Sequence, residues 1–372
     1  MKILLVAPFF FEPHRWMISA YKTALNLSKD NQVIVLTTGK KRYEKISNNL
    51  TIYRLKDYFL PDPINYSFVP KLFSKFFQLV KNNKPDIILV NKYMFYTSLV
   101  VLFARFKKIK IPIVVATDTF PGLNWHPRFI LVDWVMKIYN YLIGIPILKK
   151  ANKVILYHSG NIETAKKLKL NYTVIHNGIE TEKITNAKPP TDLIKKTNEI
   201  WIGYVGRLES VKGWDLLAKS ALKITKKYKN IKFIFVGNKN GKDKLLEKYR
   251  HPQILFTGHR VDALGIYKLF DIFVLPSFSE GLPNALMEAM ASGCVCIAHN
   301  VGGVKDLIEH KVNGLIINNN SPITICKMIQ YCLDNKNLHK KLSTNAKNKI
   351  FSQYNWDNIV NEYIQLFDDI KK

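Results

Sequence analysis

Two glutamates lie in one short segment whose other residues favour an anion site. The segment is 276–293, PSFSEGLPNALMEAMASG, with Glu280 and Glu288 eight positions apart. The segment follows an apolar strand, and we predict a helix from near Pro283 to Gly293, because Pro suits the first helical position and Gly the position past the end. The loop therefore presents backbone N–H groups at a helix N-terminus, where a phosphate can bind.

Alternating strands and helices would position this loop. Such alternation indicates right-handed βαβ units and a parallel sheet, and it occurs twice along the chain. The predicted strands are 3–7, 32–37, 50–55, 86–90, 111–117, 153–157 and 172–176 in the first half, and 200–205, 231–236, 254–257, 272–275, 295–298 and 315–317 in the second. The sequence therefore predicts an α/β protein with two similar halves.

The ordered motifs resemble those of the GT-B glycosyltransferases, specifically the retaining family 4, also called glycosyl transferases group 1. The resemblance rests on Glu280-Gly281-Leu282-Pro283-Asn284 through Glu288, followed by Val301-Gly302-Gly303. The motif Gly206-Arg207-Leu208 with Lys212-Gly213, and the turn His176-Asn177-Gly178-Ile179-Glu180, match the family as well. The resemblance implies a GT-B fold, with two Rossmann-like doubly wound domains and an interdomain cleft.

The resemblance also implies roles for individual residues. Arg207 and Lys212 would hold the donor diphosphate, where fixed cations stabilise the charge that grows on the leaving oxygen. Glu288 would accept hydrogen bonds from ribose hydroxyls, and Glu280 would contact the transferred sugar. The remaining residues of the donor set are Gly206, Gly281, Leu282, Pro283 and Asn284, with Arg260 as a candidate contact of the base. A surface cation is the alternative for Arg207, and a solvated helix face is the alternative for Glu288.

The first half departs from the family pattern near the acceptor. The loop 8–15 contains no glycine, whereas many relatives carry a Gly-Gly pair there. Asp118 follows a predicted strand, so its carboxylate could accept a proton or bind a hydroxyl at the carboxyl end of the sheet. Capping of the next turn is an equal alternative for Asp118. His14 is a second candidate for acceptor chemistry.

The domain boundaries follow from the motifs and from composition. We predict an acceptor-binding Rossmann-like domain over 1–180 and a polar linker over 181–198, which contains Pro189-Pro190. A nucleotide-sugar-binding Rossmann-like domain would occupy 199–352. A C-terminal helix over 353–372 would return to the N-terminal domain, as the resemblance implies.

The balance of charges predicts an anionic partner. The chain has 372 residues and a net charge of +28. No nucleic-acid-binding motif occurs, so we favour contact with an anionic membrane over nucleic acid. Segments 125–148 and 66–84 combine aromatic and basic residues, and each could be either a core element or an interfacial one. We therefore expect a cytoplasmic protein, peripheral on the inner face of the cell membrane.

The remaining expectations concern chemistry and alternatives. The donor would be a UDP- or GDP-sugar, the acceptor a glycan or lipid-linked hydroxyl, and no cofactor would be needed. No Asp-x-Asp pair occurs, which disfavours a metal-dependent GT-A mechanism, so no metal ligand is assigned. Four cysteines without a C-x-x-C pair fit a reducing compartment. A GT-B nucleotide-sugar epimerase and a basic non-enzymatic binding protein remain alternatives.

Overall fold

The protein is described by a computed structural model that covers residues 1–8, 18–39, 43–60, 66–126, 130–239 and 241–371. The chain divides into two compact units. The first contains Met1–Asn177 and Trp356–Lys372, and the second contains Gly178–Asn355.

The first unit is built around an eight-stranded sheet. Its strands are β1 (Lys2–Val6), β2 (Gln32–Thr38), β3 (Tyr43–Lys45), β4 (Leu50–Leu55), β7 (Ile87–Asn91), β8 (Ile113–Thr117), β9 (Lys153–Leu156) and β10 (Tyr172–Val174), with β5 (Tyr58–Leu60) and β6 (Tyr66–Phe68) forming a separate antiparallel hairpin. Its helices are α1 (Ile18–Leu27), α2 (Leu72–Asn83), α3 (Val100–Phe106), α4 (Ile130–Tyr139), α5 (Ile145–Lys150) and α6 (Ile162–Lys167).

The strand order in this sheet is β10-β9-β8-β7-β1-β2-β4-β3, and only β3 pairs antiparallel. The central strands β7 and β8 are buried along their whole length, because helices cover both faces of the sheet. Strands β2, β4 and β3 lie on one side of β1, and strands β7 to β10 lie on the other. The strand order therefore reverses between β1 and β7. That reversal is the point at which open α/β sheets bind ligands.

The second unit repeats this plan with six parallel strands. Its elements are α7 (Thr181–Asn186), β11 (Ile200–Val205), α8 (Trp214–Lys227), β12 (Ile231–Val236), α9 (Asp243–Leu246), β13 (Ile254–Gly258), α10 (Ala263–Ile266), β14 (Ile272–Leu275), α11 (Asn284–Ala291), β15 (Val295–His299), α12 (Val304–Leu307), β16 (Leu315–Ile317), α13 (Pro322–Asp334) and α14 (Lys336–Gln353). The order β13-β12-β11-β14-β15-β16 is that of a Rossmann sheet, with its reversal between β11 and β14.

The segment predicted as a linker, 181–198, is instead part of the second unit. Residues Thr181–Asn186 form α7, and Ile184 is buried in the core of that unit. A Cβ on Gly265 would lie 1.9 Å from the carbonyl oxygen of Lys188, so this polar stretch packs closely on its neighbours. The prediction from polarity failed because one apolar residue per helical turn is enough to anchor a short helix.

The last helix, α15 (Trp356–Lys371), belongs to the first unit. Trp356, Ile359, Tyr363 and Phe367 are buried in the same core as residues of β1. At its end, the Lys371 ammonium lies 3.1 Å from the Asp86 carboxylate.

Candidate functional site

Three loops of the second unit meet at the carboxyl ends of neighbouring strands. They follow β11 (206–213), β14 (276–283) and β15 (300–303), and we call them the three-loop site. The Phe278 N–H donates to the Val211 carbonyl over 2.8 Å, which joins the first loop to the second. The Gly303 N–H donates to the Gly281 carbonyl over 2.7 Å, which joins the third loop to the second.

Two glycines make this close approach possible. Gly213 has a φ of +64° and Gly302 a φ of +53°, both in the left-handed region that favours glycine. A Cβ at Gly213 would lie 1.8 Å from the Pro276 carbonyl oxygen, and one at Gly302 would lie 1.9 Å from the Glu280 carbonyl oxygen. Any side chain at either position would force the loops apart.

An ion pair joins two of the predicted residues inside the three-loop site. The Lys212 ammonium lies 2.9 Å from Glu280 Oε1, and the two side chains are 20% and 11% exposed. The lysine has three N–H donors, so the bond to Glu280 leaves donors for another anion. Glu280 thus fixes the direction in which Lys212 presents its charge.

Arg207 lies on the same loop as Lys212 and is more exposed. Its guanidinium donates to Glu209 over 2.6 Å, and both side chains are almost half exposed. The Tyr204 hydroxyl donates to the Arg207 carbonyl over 2.8 Å and fixes the backbone at this position. Gly206 precedes Arg207. A Cβ at Gly237, which follows the adjacent strand β12, would lie 2.0 Å from the Gly206 carbonyl oxygen.

Helix α11 begins where the second loop ends. Asn284 is exposed at its first position, whereas Pro283 lies just before the helix with φ −77° and ψ 108°. The prediction that placed Pro283 at the first helical position was therefore one residue early. The Leu282 side chain is buried in the core, so Leu282 contributes only its backbone to the surface of the loop. The helix ends at Ala291, and Gly293 follows with a φ of +85°.

Glu288 lies on α11 and is oriented by a tyrosine that sequence reasoning missed. The Tyr267 hydroxyl donates to Glu288 Oε2 over 3.0 Å, and Tyr267 is fully buried. Burial raises the pKa of Tyr267 well above its usual value, so this hydroxyl stays protonated and remains a donor. No motif surrounds Tyr267, and only its place in a short apolar helix signals burial.

Comparison with known proteins shows which class of protein this chain belongs to. Residues 188–349 match the family described as Glycosyl transferases group 1. This protein is a glycosyltransferase. A glycosyltransferase of Methanocaldococcus jannaschii is 27% identical over 98% of both chains.

Further relatives extend the comparison along the whole chain. A Campylobacter jejuni N-acetylgalactosaminyltransferase, named for an undecaprenol diphosphate-linked acceptor, is 23% identical and covers 93% of this chain and 92% of its own. The crystal structure of Anabaena HepE in complex with UDP matches with a TM-score of 0.76 at 16% identity, over 99% of this chain and 100% of that one. The fold of this glycosyltransferase is GT-B, as predicted.

Arg260 of the glycosyltransferase does not have the contacts expected of a base-binding residue. Its guanidinium donates to Asp262 over 2.8 and 2.6 Å and to Asp192 over 2.5 and 2.8 Å. These four hydrogen bonds use four of its five N–H donors. Arg260 therefore joins the 188–198 segment to the loop after β13, and its contact with the base stays a prediction.

In the first unit, Asp118 lies at the end of β8 and pairs with Lys92, which follows β7. The His158 Nε2 and the Asn161 amide each lie 2.8 Å from the Asp118 carbonyl oxygen, which accepts from both. Burial raises the pKa of the Asp118 carboxyl, but the charge and hydrogen bond of Lys92, a backbone hydrogen bond and His158 together outweigh burial, and the pKa is lowered. A carboxylate with a lowered pKa is a weak base, so hydroxyl binding fits Asp118 better than proton abstraction.

Lys92 was missed because nothing in its sequence context marks it. It lies directly after a buried strand with a φ of +70°, a conformation that few residues other than glycine adopt. The rule that side chains after neighbouring parallel strands come together could have found it. His14, the other predicted acceptor residue, lies outside the described residues.

Proposed function

We propose that this glycosyltransferase moves a sugar from a UDP-sugar to a hydroxyl of a lipid-linked glycan at the cytoplasmic face of the membrane, with retention and without a metal. The observation that carries the proposal is the Lys212–Glu280 pair, held by Gly213 and Gly302 at the start of helix α11. This places a fixed cation and a helix N-terminus next to each other, as a diphosphate requires.

The donor diphosphate would be bound by Lys212, Arg207 and the first turn of α11. Each hydrogen bond to a charged group contributes about 1.5–3 kcal/mol, and the charge on the leaving oxygen grows as the sugar departs. These interactions therefore strengthen towards the transition state. Glu288, oriented by Tyr267, would accept from the ribose hydroxyls. Uridine is supported by the UDP complex of the Anabaena protein.

Retention would follow from departure of the diphosphate on the face that the acceptor approaches. The transition state would resemble an oxocarbenium ion, and its leaving group would take the acceptor proton. Glu280 is engaged by Lys212, so it is suited to accept from sugar hydroxyls rather than to attack the sugar as a nucleophile. The fixed cations would supply the charge stabilisation that a metal ion supplies in other transferases.

The acceptor proposal rests on a relative and on the first unit. The Campylobacter jejuni relative is named for an acceptor on undecaprenol diphosphate. Asp118, ionised and fixed by Lys92, can accept a hydrogen bond from an acceptor hydroxyl without removing its proton. This is the chemistry that substrate positioning requires when the leaving group supplies the base.

The test is a thermal shift of the pure protein against UDP, GDP, their sugars and matched monophosphates, with chelator present. A ligand at 100 times its dissociation constant stabilises by about 2.7 kcal/mol, which is easily measured. We expect a selective response to one uridine diphosphate sugar that is lost in Arg207→Ala. No response to any nucleotide, or a strict metal requirement, would contradict the proposal.

The reaction itself is tested by product analysis. Incubation of the responding donor with undecaprenol diphosphate-linked saccharides should yield a product in which the new linkage keeps the anomeric configuration of the donor. Nuclear magnetic resonance of that linkage distinguishes retention from inversion. Release of an isomerised nucleotide sugar without transfer would instead identify an epimerase.

A further inference from the structure

One helical segment of the first unit has its polar residues turned inward. Helix α4, a π-helical turn (Asn140–Gly144) and α5 form a continuous segment, Ile130–Lys150. Asp133 is 8% exposed and contacts His126 and Lys137 over 2.8 Å each. Asn140 is fully buried and donates to the Tyr93 hydroxyl over 3.1 Å.

The opposite face of this segment is apolar and exposed. Seven large side chains are each more than half exposed, and they recur with the spacing of one helical face: Ile130, Leu131, Trp134, Val135, Ile138, Tyr141 and Leu142. A surface helix in water places its apolar stripe against the core and its polar residues outward. This segment does the reverse, and contiguous apolar surfaces of this kind mark interaction sites.

The apolar face continues onto the β5–β6 hairpin. The Tyr139 and Tyr66 hydroxyls lie 3.3 Å apart, and their rings pack edge to face with centroids 6.1 Å apart. On the hairpin, Tyr58, Leu60 and Phe68 are about half exposed. The exposed apolar surface therefore includes two elements of the fold that are distant in sequence.

Basic residues lie at the C-terminal end of the same segment. Lys149 and Lys150 are exposed there, and Arg105 Nε donates to the Lys150 carbonyl over 3.1 Å. That bond holds the end of α3 against the end of α5. Directly after Arg105 come Phe106, which is 81% exposed, and three exposed lysines, at 107, 108 and 110. Five lysines thus lie together at the C-terminal end of the segment that carries the apolar face.

We propose that the seven apolar residues, which we call the membrane face, lie in the headgroup region of an anionic lipid bilayer, with the five lysines on its phospholipid phosphates. Trp, Tyr and aliphatic side chains flanked by lysines are the composition of an interfacial helix. The net charge of +28 favours an anionic surface and disfavours a second copy of this chain.

The segment lies on the bilayer rather than crossing it. Its 21 residues and mean hydropathy of 1.3 would suffice for a crossing. However, Asn140 donates to the Tyr93 hydroxyl and to the Pro121 carbonyl in the body of the first unit, so lipid cannot surround the helix. Docking gives the proposed lipid-linked acceptor a route to the enzyme, but it does not depend on that acceptor.

Vesicle co-sedimentation tests the proposal. The full chain is mixed with vesicles of 30% phosphatidylglycerol in phosphatidylcholine, or of phosphatidylcholine alone, at low and high salt. We expect binding to the anionic vesicles that weakens with salt. Leu131→Gln, Trp134→Gln and Ile138→Gln together should weaken it at least tenfold. The matched control replaces Ile194, Val261 and Ile323, exposed apolar residues of the second unit, with Gln and should bind as the wild type does.

The basic cluster has its own variant. Lys107→Gln, Lys108→Gln and Lys110→Gln together should weaken binding to anionic vesicles and reduce its dependence on salt. The proposal would be overturned if the wild-type chain bound neither kind of vesicle. It would also be overturned if the membrane-face variant bound anionic vesicles as tightly as the wild type does. A third contrary result would be a wild-type dimer that the membrane-face variant converts to a monomer, with no binding of either chain to vesicles.

Donor binding separates this result from the proposed reaction. The membrane-face variant should keep the wild-type melting temperature and the wild-type thermal shift with nucleotide sugars, because it changes only exposed side chains. Vesicle binding without any nucleotide response would leave docking intact and remove the transfer reaction. A nucleotide response without vesicle binding would leave the transfer reaction intact and remove the docking proposal.

Discussion

Each unit places a lysine–carboxylate pair at the carboxyl ends of its parallel strands, but the two pairs are supported differently. In the second unit, Lys212 and Glu280 are held by backbone that approaches within contact distance at Gly213 and Gly302. In the first unit, Lys92 and Asp118 are held by side chains, with His158 and Asn161 bound to the Asp118 carbonyl.

The difference corresponds to the ligand each pair would meet. A diphosphate is bound by backbone N–H groups and fixed cations, which requires loops so close together that only glycine fits. A hydroxyl acceptor is bound by side-chain donors and acceptors, which can be exchanged without changing the backbone. The Lys212–Glu280 pair, the proposed donor pair, would therefore be constrained by geometry, and the Lys92–Asp118 pair, the proposed acceptor pair, by chemistry alone.

The largest expected effect is on the donor pair. Lys212→Ala removes a cation from the diphosphate and leaves Glu280 without its partner. A charged hydrogen bond contributes up to about 3 kcal/mol, so turnover should fall about 100-fold. Lys219→Ala is the matched control, since Lys219 pairs with Asp215 on the exposed side of α8. Steady-state rates at saturating acceptor measure the effect of both variants. A wild-type rate in Lys212→Ala would mean that Lys212 is not part of the site.

The role of the backbone is tested by alanine at glycine. Gly213→Ala combines a positive φ with a Cβ 1.8 Å from the Pro276 carbonyl oxygen, whereas Gly241 has a φ of +69° and nothing within 4 Å of its Cβ. Gly241→Ala should cost about 1 kcal/mol of unfolding free energy and Gly213→Ala about 2 kcal/mol more. Urea unfolding measures the difference. Equal costs would mean that the loops separate without strain.

The acceptor pair should show a smaller and more selective effect. Asp118→Asn keeps the shape but removes the charge paired with Lys92, so kcat/KM for the acceptor should fall about tenfold while donor affinity is unchanged. Glu280→Gln should lower turnover more than tenfold under the same conditions. If Asp118→Asn weakened donor binding as strongly as acceptor use, the division of roles between the pairs would be wrong.

The same contrast explains what could be predicted from the sequence. The loops of the three-loop site carry Gly213, Pro283 and Gly302. Segment 276–293 predicted a loop followed by a helix, and the family resemblance gave the roles expected of both glutamates. The GT-B fold followed from the two series of alternating strands and helices and from the resemblance. Constraints that act through the backbone leave glycine and proline in the sequence, where they can be recognised.

What could not be predicted depends on contacts between distant side chains. The pairing of Arg260 with Asp192 joins residues 68 positions apart, and Tyr267 and Glu288 meet because the turn after α10 packs with α11 in one core. Lys92 is one of 56 basic residues, with no motif beside it. Such partners become visible only when the strand order is known.

The smallest effect concerns pH and the acceptor pair. The folded-state pKa of Asp118 is lowered, because Lys92, a backbone hydrogen bond and His158 together outweigh the burial that would raise it. Its stabilising contribution is therefore complete above the unfolded pKa of about 3.9 and is lost as the pH falls through the folded pKa. Asp118→Asn should cost about 1 kcal/mol at pH 7, since the side chain is a third exposed, and less as the pH falls through the folded pKa.

Urea unfolding of the wild type and Asp118→Asn between pH 7 and pH 2 measures this convergence. The control is Asp368→Asn, at an exposed position of the C-terminal helix α15, whose difference from the wild type should stay small throughout. A constant difference between wild type and Asp118→Asn would mean that the aspartate stabilises through its shape and carbonyl contacts, not through its charge. The acceptor pair would then be a structural brace, and only the donor pair would present charge to a substrate.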